Sequence, residues 1–193
     1  MQALKERILA EGKNLGSGIL KIDSLLNHQI YPDLMMEMGR EMARRFEGKQ
    51  IDRILTAEIS GIAPALATAV VLGVPVVYAR KLKPITMSGP VFLETAPSHT
   101  KGGEVNLLVS AEFLPPNENV LIVDDFLATG KTLMALARMV RSAGSTIVGV
   151  SVVVEKTFEG GRAIMAKGGF GYLPIEALAT IISMDNGQIV FAE

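Results

Sequence analysis

Two runs constrain this chain more than any other part of it: VLIV at 120–123 and STIVGVSVVVEK at 145–156. Both are continuous apolar text, without the in-and-out alternation of a strand that has one wet face. Between them, residues 131–143 place Leu133, Leu136, Ala137 and Val140 on one helical stripe, and Gly144 stops the pattern. Strands that are apolar throughout are buried on both faces, and a helix between two of them is a crossover. The chain is therefore expected to build a mainly parallel sheet flanked by helices, an α/β fold.

The same grammar recurs upstream. IDRILTA and VPVVYAR read as strands, with a helix at 62–72 between them that ends at Gly73. EVNLLVS reads as another strand. IYPDLMMEMGREMARRFEG has Pro32 at a plausible first helical position, Leu34, Met38, Met42 and Phe46 at helical spacing, and Gly48 at its end. MQALKERILAEG reads as a short amphipathic helix with Leu4, Ile8 and Leu9 on one side, too charged for a signal peptide. Residues 160–167 suggest a short helix, and the stretch after Gly168 carries no clear pattern. The uncharged run at 59–79 is long enough for a membrane span, but Ser60, Gly61, Pro64, Gly73 and Pro75 break it into a buried helix and a buried strand.

Composition narrows the class. A length of 193 residues suits one domain spanning 1–193, and a domain of that size buries roughly 70% of its unfolded surface. With no cysteine there is no disulfide scaffold, thiolate metal site or cysteine nucleophile, and the cytoplasm is the expected location. Nineteen basic and twenty acidic residues leave a net charge of −1, which provides no field for non-specific nucleic-acid binding.

In parallel sheets ligands sit beyond the carboxyl ends of the strands, so the residues there carry the functional signal. One of these strand ends reads VLIVDDFLATGKT. Its Gly-Lys-Thr is not a nucleotide-triphosphate loop: the glycine required five positions before Gly130 is Asp125. Small residues follow the acids instead. The amides of Ala128, Thr129, Gly130, Lys131 and Thr132 can wrap one phosphate, with the threonine hydroxyls added. Asp124 and Asp125 cannot also face phosphate. They suit vicinal sugar hydroxyls, or can help hold a metal, and with the cradle the pattern describes a ribose 5-phosphate. The other strand ends offer EISGIAP, where Ser60 can cap the next helix and Gly61 permits unusual backbone, and the Arg80–Lys81 pair, suited to a polyanion.

VLIVDDFLATGKT resembles the phosphoribosyl-diphosphate signature of the type I phosphoribosyltransferases. KIDSLLNHQI, EISGIAP, ARK, SHTK and the VVVEK strand end are similar to the xanthine-using members of that family, so the resemblance runs from Leu20 to Lys156. It implies the type I fold, with a small hood from the N- and C-terminal segments and a mobile lid at 85–103, a segment rich in Pro, Gly, Ser and Thr.

The implied reaction moves 5-phosphoribosyl from phosphoribosyl diphosphate to xanthine, giving xanthosine 5′-monophosphate and pyrophosphate in purine salvage. Guanine, hypoxanthine or adenine is the alternative base, and a diphosphate-sensing regulator the alternative class. The resemblance further implies catalytic roles for Asp124, Asp125 and Lys101. It implies donor binding by residues 128–132 with Ser60, Gly61, Arg80 and Lys81, and xanthine binding by Leu20, Asn27 and Lys156. Magnesium is expected to arrive with the diphosphate, with no metal site from the protein alone, and the family implies a homodimer.

Overall fold

The computed structural model describes residues 1–97 and 103–192. Lys101, His99 and the rest of SHTK lie outside the described residues. The elements in chain order are α1 (Gln2–Glu11), β1 (Lys13–Asn14), β2 (Leu20–Lys21), α2 (Pro32–Arg45), β3 (Arg53–Ala57), α3 (Ile62–Leu72), β4 (Val76–Ala79), β5 (Val91–Pro97), β6 (Glu104–Ser110), β7 (Asn119–Leu127), α4 (Lys131–Ser142), β8 (Thr146–Lys156), α5 (Gly161–Met165), β9 (Ile175–Ser183) and β10 (Val190–Phe191).

Six strands form the main sheet in the order β10-β9-β8-β7-β3-β4. All neighbours are parallel except β10, which runs antiparallel to β9. The expected apolar runs are the central strands, and the reason they lack alternation is visible. Leu121, Val123, Val153 and Val154 enter one core with Leu4, Ile8, Met38 and Met42 from α1 and α2. Val120, Ile122, Val150 and Val152 enter the opposite core with Leu133, Leu136 and Val140 from α4. Cutting one such buried leucine or isoleucine back to alanine costs about 2–5 kcal/mol.

Helix α2 starts with Pro32 as read, and Arg44 and Arg45 in its last turn both bond Glu41. The hydrogen bond from Arg44 above all holds the Glu41 carboxyl down at about 2. Gly39 lets α2 lie directly on α3, since a Cβ there would sit 2.5 Å from the Ala67 carbonyl carbon.

Several expectations need correction. Leu9 is 58% exposed, because only Leu4 and Ile8 of α1 reach the core. The strand carrying the acids does not stop at Val123 but runs to Leu127, held by pairing to β8. The segment read as a lid loop, with strands at most at its borders, contains the strand β5, paired antiparallel with β6 along its whole length. This hairpin packs on α4, with Ala96 and Leu107 buried there and Glu94 3.7 Å from Arg138. The stretch after Gly168, unread in the sequence, supplies β9 and β10. It also meets the N-terminus: the Met1 ammonium donates to the Leu178 carbonyl, Lys5 to that of Ala192 and Asn14 to that of Met184.

Candidate active site

Three parallel strands, β3, β4 and β7, end side by side and bring their following turns together. Asp124 is paired with Val152 inside the β7–β8 ladder and is 5% exposed. Burial first, then the neighbouring Asp125 charge, pushes its carboxyl well above the usual carboxylate range, and the Lys81 charge opposes this. Asp125 is half-buried and accepts the Phe126 amide at 2.8 Å.

The turn after β3 lies on top of this carboxyl. A Cβ on Gly61 would sit 2.6 Å from Asp124 Oδ1 and 2.2 Å from Thr56 Oγ1. No side chain larger than hydrogen fits at 61. Ser60 does not cap α3 as expected: the cap position is Gly61, and no side chain bonds there. The glutamate ahead of it has the organising role, a function not apparent from its sequence position. Glu58 accepts the Lys81 amide at 2.7 Å and lies 3.5 Å from Arg80 Nε. It therefore ties the turn after β3 to the turn after β4 and holds Arg80 there. The side chain of Lys81 stays exposed.

The turn from β7 into α4 is the expected cradle. Gly130 has φ +75°, a left-handed conformation that glycine adopts without strain, and it precedes the first residue of α4, Lys131. The loop rests on Gly161. A Cβ on Gly161 would lie 2.4 Å from the Ala128 carbonyl oxygen, and one on Gly130 would lie 2.7 Å from the Gly161 carbonyl oxygen. The amides of the first turn of a helix have no intrahelical acceptors, so this end of α4 can receive an anion.

Beyond the cradle, β8 ends in two charged residues with different partners. Glu155, 3% exposed, is gripped by the Arg162 guanidinium at 2.7 and 2.8 Å, which also reaches the Ile175 carbonyl at 3.0 Å. Lys156 does not pair with Glu155. It ion-pairs with Glu159, donates to the Gly18 carbonyl at 2.8 Å, and stands 5.8 Å from the centre of the Phe126 ring. Lys156 thus pins the loop between β1 and β2 over the sheet, next to buried Leu20. Asn27 is exposed on the short π-helical turn Asp23–Asn27, and is not among the partners of Lys156.

The structure therefore gathers Asp124, Asp125, Ser60, Gly61, Arg80, Lys81 and the 128–132 loop at one end of the sheet, with Leu20 and Lys156 at its flank. Among the described residues, no group of three His, Asp or Glu side chains is placed to hold a metal. No helix among them is long and apolar enough to cross a membrane.

A strand-end acid pair followed by a small-residue phosphate cradle defines a class. The chain belongs to the phosphoribosyltransferases: residues 22–165 match the phosphoribosyl transferase domain family. Full-length relatives narrow that class. A xanthine phosphoribosyltransferase from Deinococcus deserti is 50% identical over 193 residues, covering 100% of this chain and 98% of its own. One from Heliobacterium modesticaldum is 49% identical over 193 residues, covering both chains fully at 100%. Among solved structures, an adenine phosphoribosyltransferase from Thermoanaerobacter pseudethanolicus superimposes with a TM-score of 0.74 at 26% identity, over 92% of this chain and 99% of that one.

Proposed function

We propose that the protein transfers phosphoribosyl from phosphoribosyl diphosphate to xanthine, releasing pyrophosphate and xanthosine 5′-monophosphate. The observation that carries this reading is the Asp124–Asp125 pair set directly before the 128–132 cradle, which is backed by Gly161. The full-length similarity to xanthine phosphoribosyltransferases supports the choice of base.

In this reading the chain's own groups divide the work. The amides of Ala128, Thr129, Gly130, Lys131 and Thr132 hold the 5-phosphate. Asp124 and Asp125 face the ribose hydroxyls and stabilise the positive charge that develops on the sugar. Arg80, Lys81 and the turn at Ser60 and Gly61 face the departing pyrophosphate, with Lys101 arriving from the lid. Lys156 donates to the 6-oxo group of the base and favours its deprotonated form, Asn27 addresses position 2, and Leu20 covers the ring. Asp124 and Asp125 would suit a magnesium ion whose ligands are mainly phosphate and water, and such an ion would neutralise charge on the diphosphate. The β5–β6 hairpin, packed on α4, is the stem of a lid that excludes water.

The remaining parts of the reading are a single domain spanning 1–193, a hood made where the N- and C-terminal segments meet, a cytoplasmic location and a homodimer. Leu66, Val70, Tyr78 and Leu82, exposed apolar side chains on α3, β4 and the turn after it, support the dimer. Pyrophosphate release, measured with phosphoribosyl diphosphate and each purine base in turn, tests the activity. Turnover only with a base other than xanthine overturns the base assignment, and no turnover with any base overturns the reaction. Light scattering of Leu66→Asp with Val70→Asp tests the dimer, the expected result being a monomer.

A further inference from the structure

Thr56 lies in the middle of β3, within the run Arg53–Ala57, and is 0% exposed. Its neighbours Ile54 and Leu55 serve the two cores. A valine would occupy the same space without a polar atom. The hydroxyl of Thr56 is nevertheless there, and its Oγ1 has no hydrogen-bond partner among the described residues. A buried hydroxyl without a partner is destabilising, so a partner in another state of the site is the economical explanation.

The space above Gly61 identifies that partner. The point where a Cβ of residue 61 would stand is 2.2 Å from Thr56 Oγ1, 2.6 Å from Asp124 Oδ1 and 3.0 Å from the Ala57 carbonyl oxygen. Three oxygens converge on a gap that only glycine leaves open. Two of them are acceptors, and the third belongs to the sole donor. A carboxylate accepts a hydroxyl proton in a shorter and stronger bond than a neutral carbonyl does. When Asp124 is ionised, its oxygen is the stronger of the two acceptors, and Thr56 supplies the donor.

We propose that Thr56 is a positioning residue: its hydroxyl donates to Asp124 Oδ1 in the substrate-bound enzyme and fixes which carboxylate oxygen faces the ribose. Gly61 is the complementary part, since its missing side chain leaves the path between the two oxygens open. The inference rests on the reading of Asp124 as the ribose-facing acid.

The test uses the full-length chain and Thr56→Val, with Thr56→Ser as the conservative rescue. Thr56→Val is expected to lower kcat about tenfold with the KM for xanthine unchanged, because the base does not touch this carboxylate. Its melting temperature is expected to stay level or rise, since an unpaired buried hydroxyl has been removed. Thr56→Ser is expected to regain most of the lost kcat. A purely structural hydroxyl would show the opposite pattern, a lower melting temperature with activity lost in proportion. Thr56→Val with wild-type kcat, or a loss that serine does not rescue, overturns the inference. If the valine protein does not fold, Thr56→Ala is read in the same way. Failure of the wild-type chain to transfer phosphoribosyl to any purine removes the proposed function and this inference with it. Normal wild-type transfer beside a fully active Thr56→Val removes only this inference.

Discussion

Gly130 and Gly161 stand back to back: a Cβ on the first would lie 2.7 Å from the second's carbonyl oxygen, and a Cβ on the second 3.1 Å from the first's amide nitrogen. The cradle at the start of α4 is therefore shaped by contact with a residue 31 positions later in the chain.

This contact predicts the effect of Gly161→Ala. The new methyl must displace the Ala128 carbonyl or the Leu127 side chain, each 2.4 Å away. If this loop holds the 5-phosphate as proposed, displacing it by about 1 Å costs on the order of 10²-fold. The expected outcome is a large rise in KM for phosphoribosyl diphosphate with the KM for xanthine little changed. Steady-state kinetics with each substrate varied in turn will show it, and equal changes in both KM values would contradict it.

Replacing both acids, Asp124→Asn with Asp125→Asn, should lower turnover by about 10²-fold or more while the chain stays folded. Circular dichroism and a transfer assay on one preparation check both halves. Near-wild-type turnover would remove the acids from the ribose site.

Asp124→Asn alone carries a pH signature in stability. The unfolded carboxyl titrates near 3.8, and burial raises the folded one well above that. Between the two values the folded chain binds the extra proton, so this group's contribution to stability falls as pH rises through that window. Asparagine does not titrate. The variant should therefore gain stability over wild type as pH rises from below 3.8 to neutrality, and show no such gain at the acid end. Thermal melts across pH settle the sign.

Gly61→Ala should abolish activity more completely than it disturbs folding. Its Cβ would land 2.6 Å from Asp124 Oδ1 and 2.2 Å from Thr56 Oγ1. Overpacking of this kind costs about 1–3 kcal/mol in stability, and it also pushes the acid out of place. A folded variant with normal kcat would show that the turn after β3 can move away from Asp124 without consequence.

Base selection should divide between Lys156 and Asn27. A lysine only donates, so in the proposed reading Lys156 would serve the 6-oxo group common to xanthine, guanine and hypoxanthine, and Lys156→Ala should weaken all three. Asn27→Asp sets acceptors opposite position 2, against the oxygen of xanthine and towards the amino group of guanine. A mismatch of this kind costs roughly 1–3 kcal/mol, about tenfold or more in relative kcat/KM. Competition between xanthine and guanine measures the shift, and an unchanged ratio in an active enzyme would assign position 2 to another group.

The β5–β6 hairpin offers a separate check. It stands outside the six-stranded sheet and joins it through the Arg80–Leu108 bridge. If it is the stem of a lid, its amides should exchange more slowly once donor and base are bound. Identical exchange in both states would exclude the closure.

Much of this protein was legible in the sequence because much of it is local. Apolar runs buried on both faces, a helical stripe between them and acids followed by small residues are each read within about a dozen positions, and the parallel sheet with its acid-bearing strand end followed from them. The extent of strand β5 was not legible, since it lies in loop-like text and its strand state comes from pairing with β6. Nor were the partners of β8's last residues: Glu155 takes Arg162 and Lys156 takes Glu159, because adjacent side chains on a strand point to opposite sides. The contact of Gly161 with the cradle, the link from Glu58 to Lys81, and the convergence of Thr56 and Asp124 on Gly61 belong to the tertiary structure alone. Each joins residues from different elements, and their distances are set by how helices and strands pack, which no local pattern records.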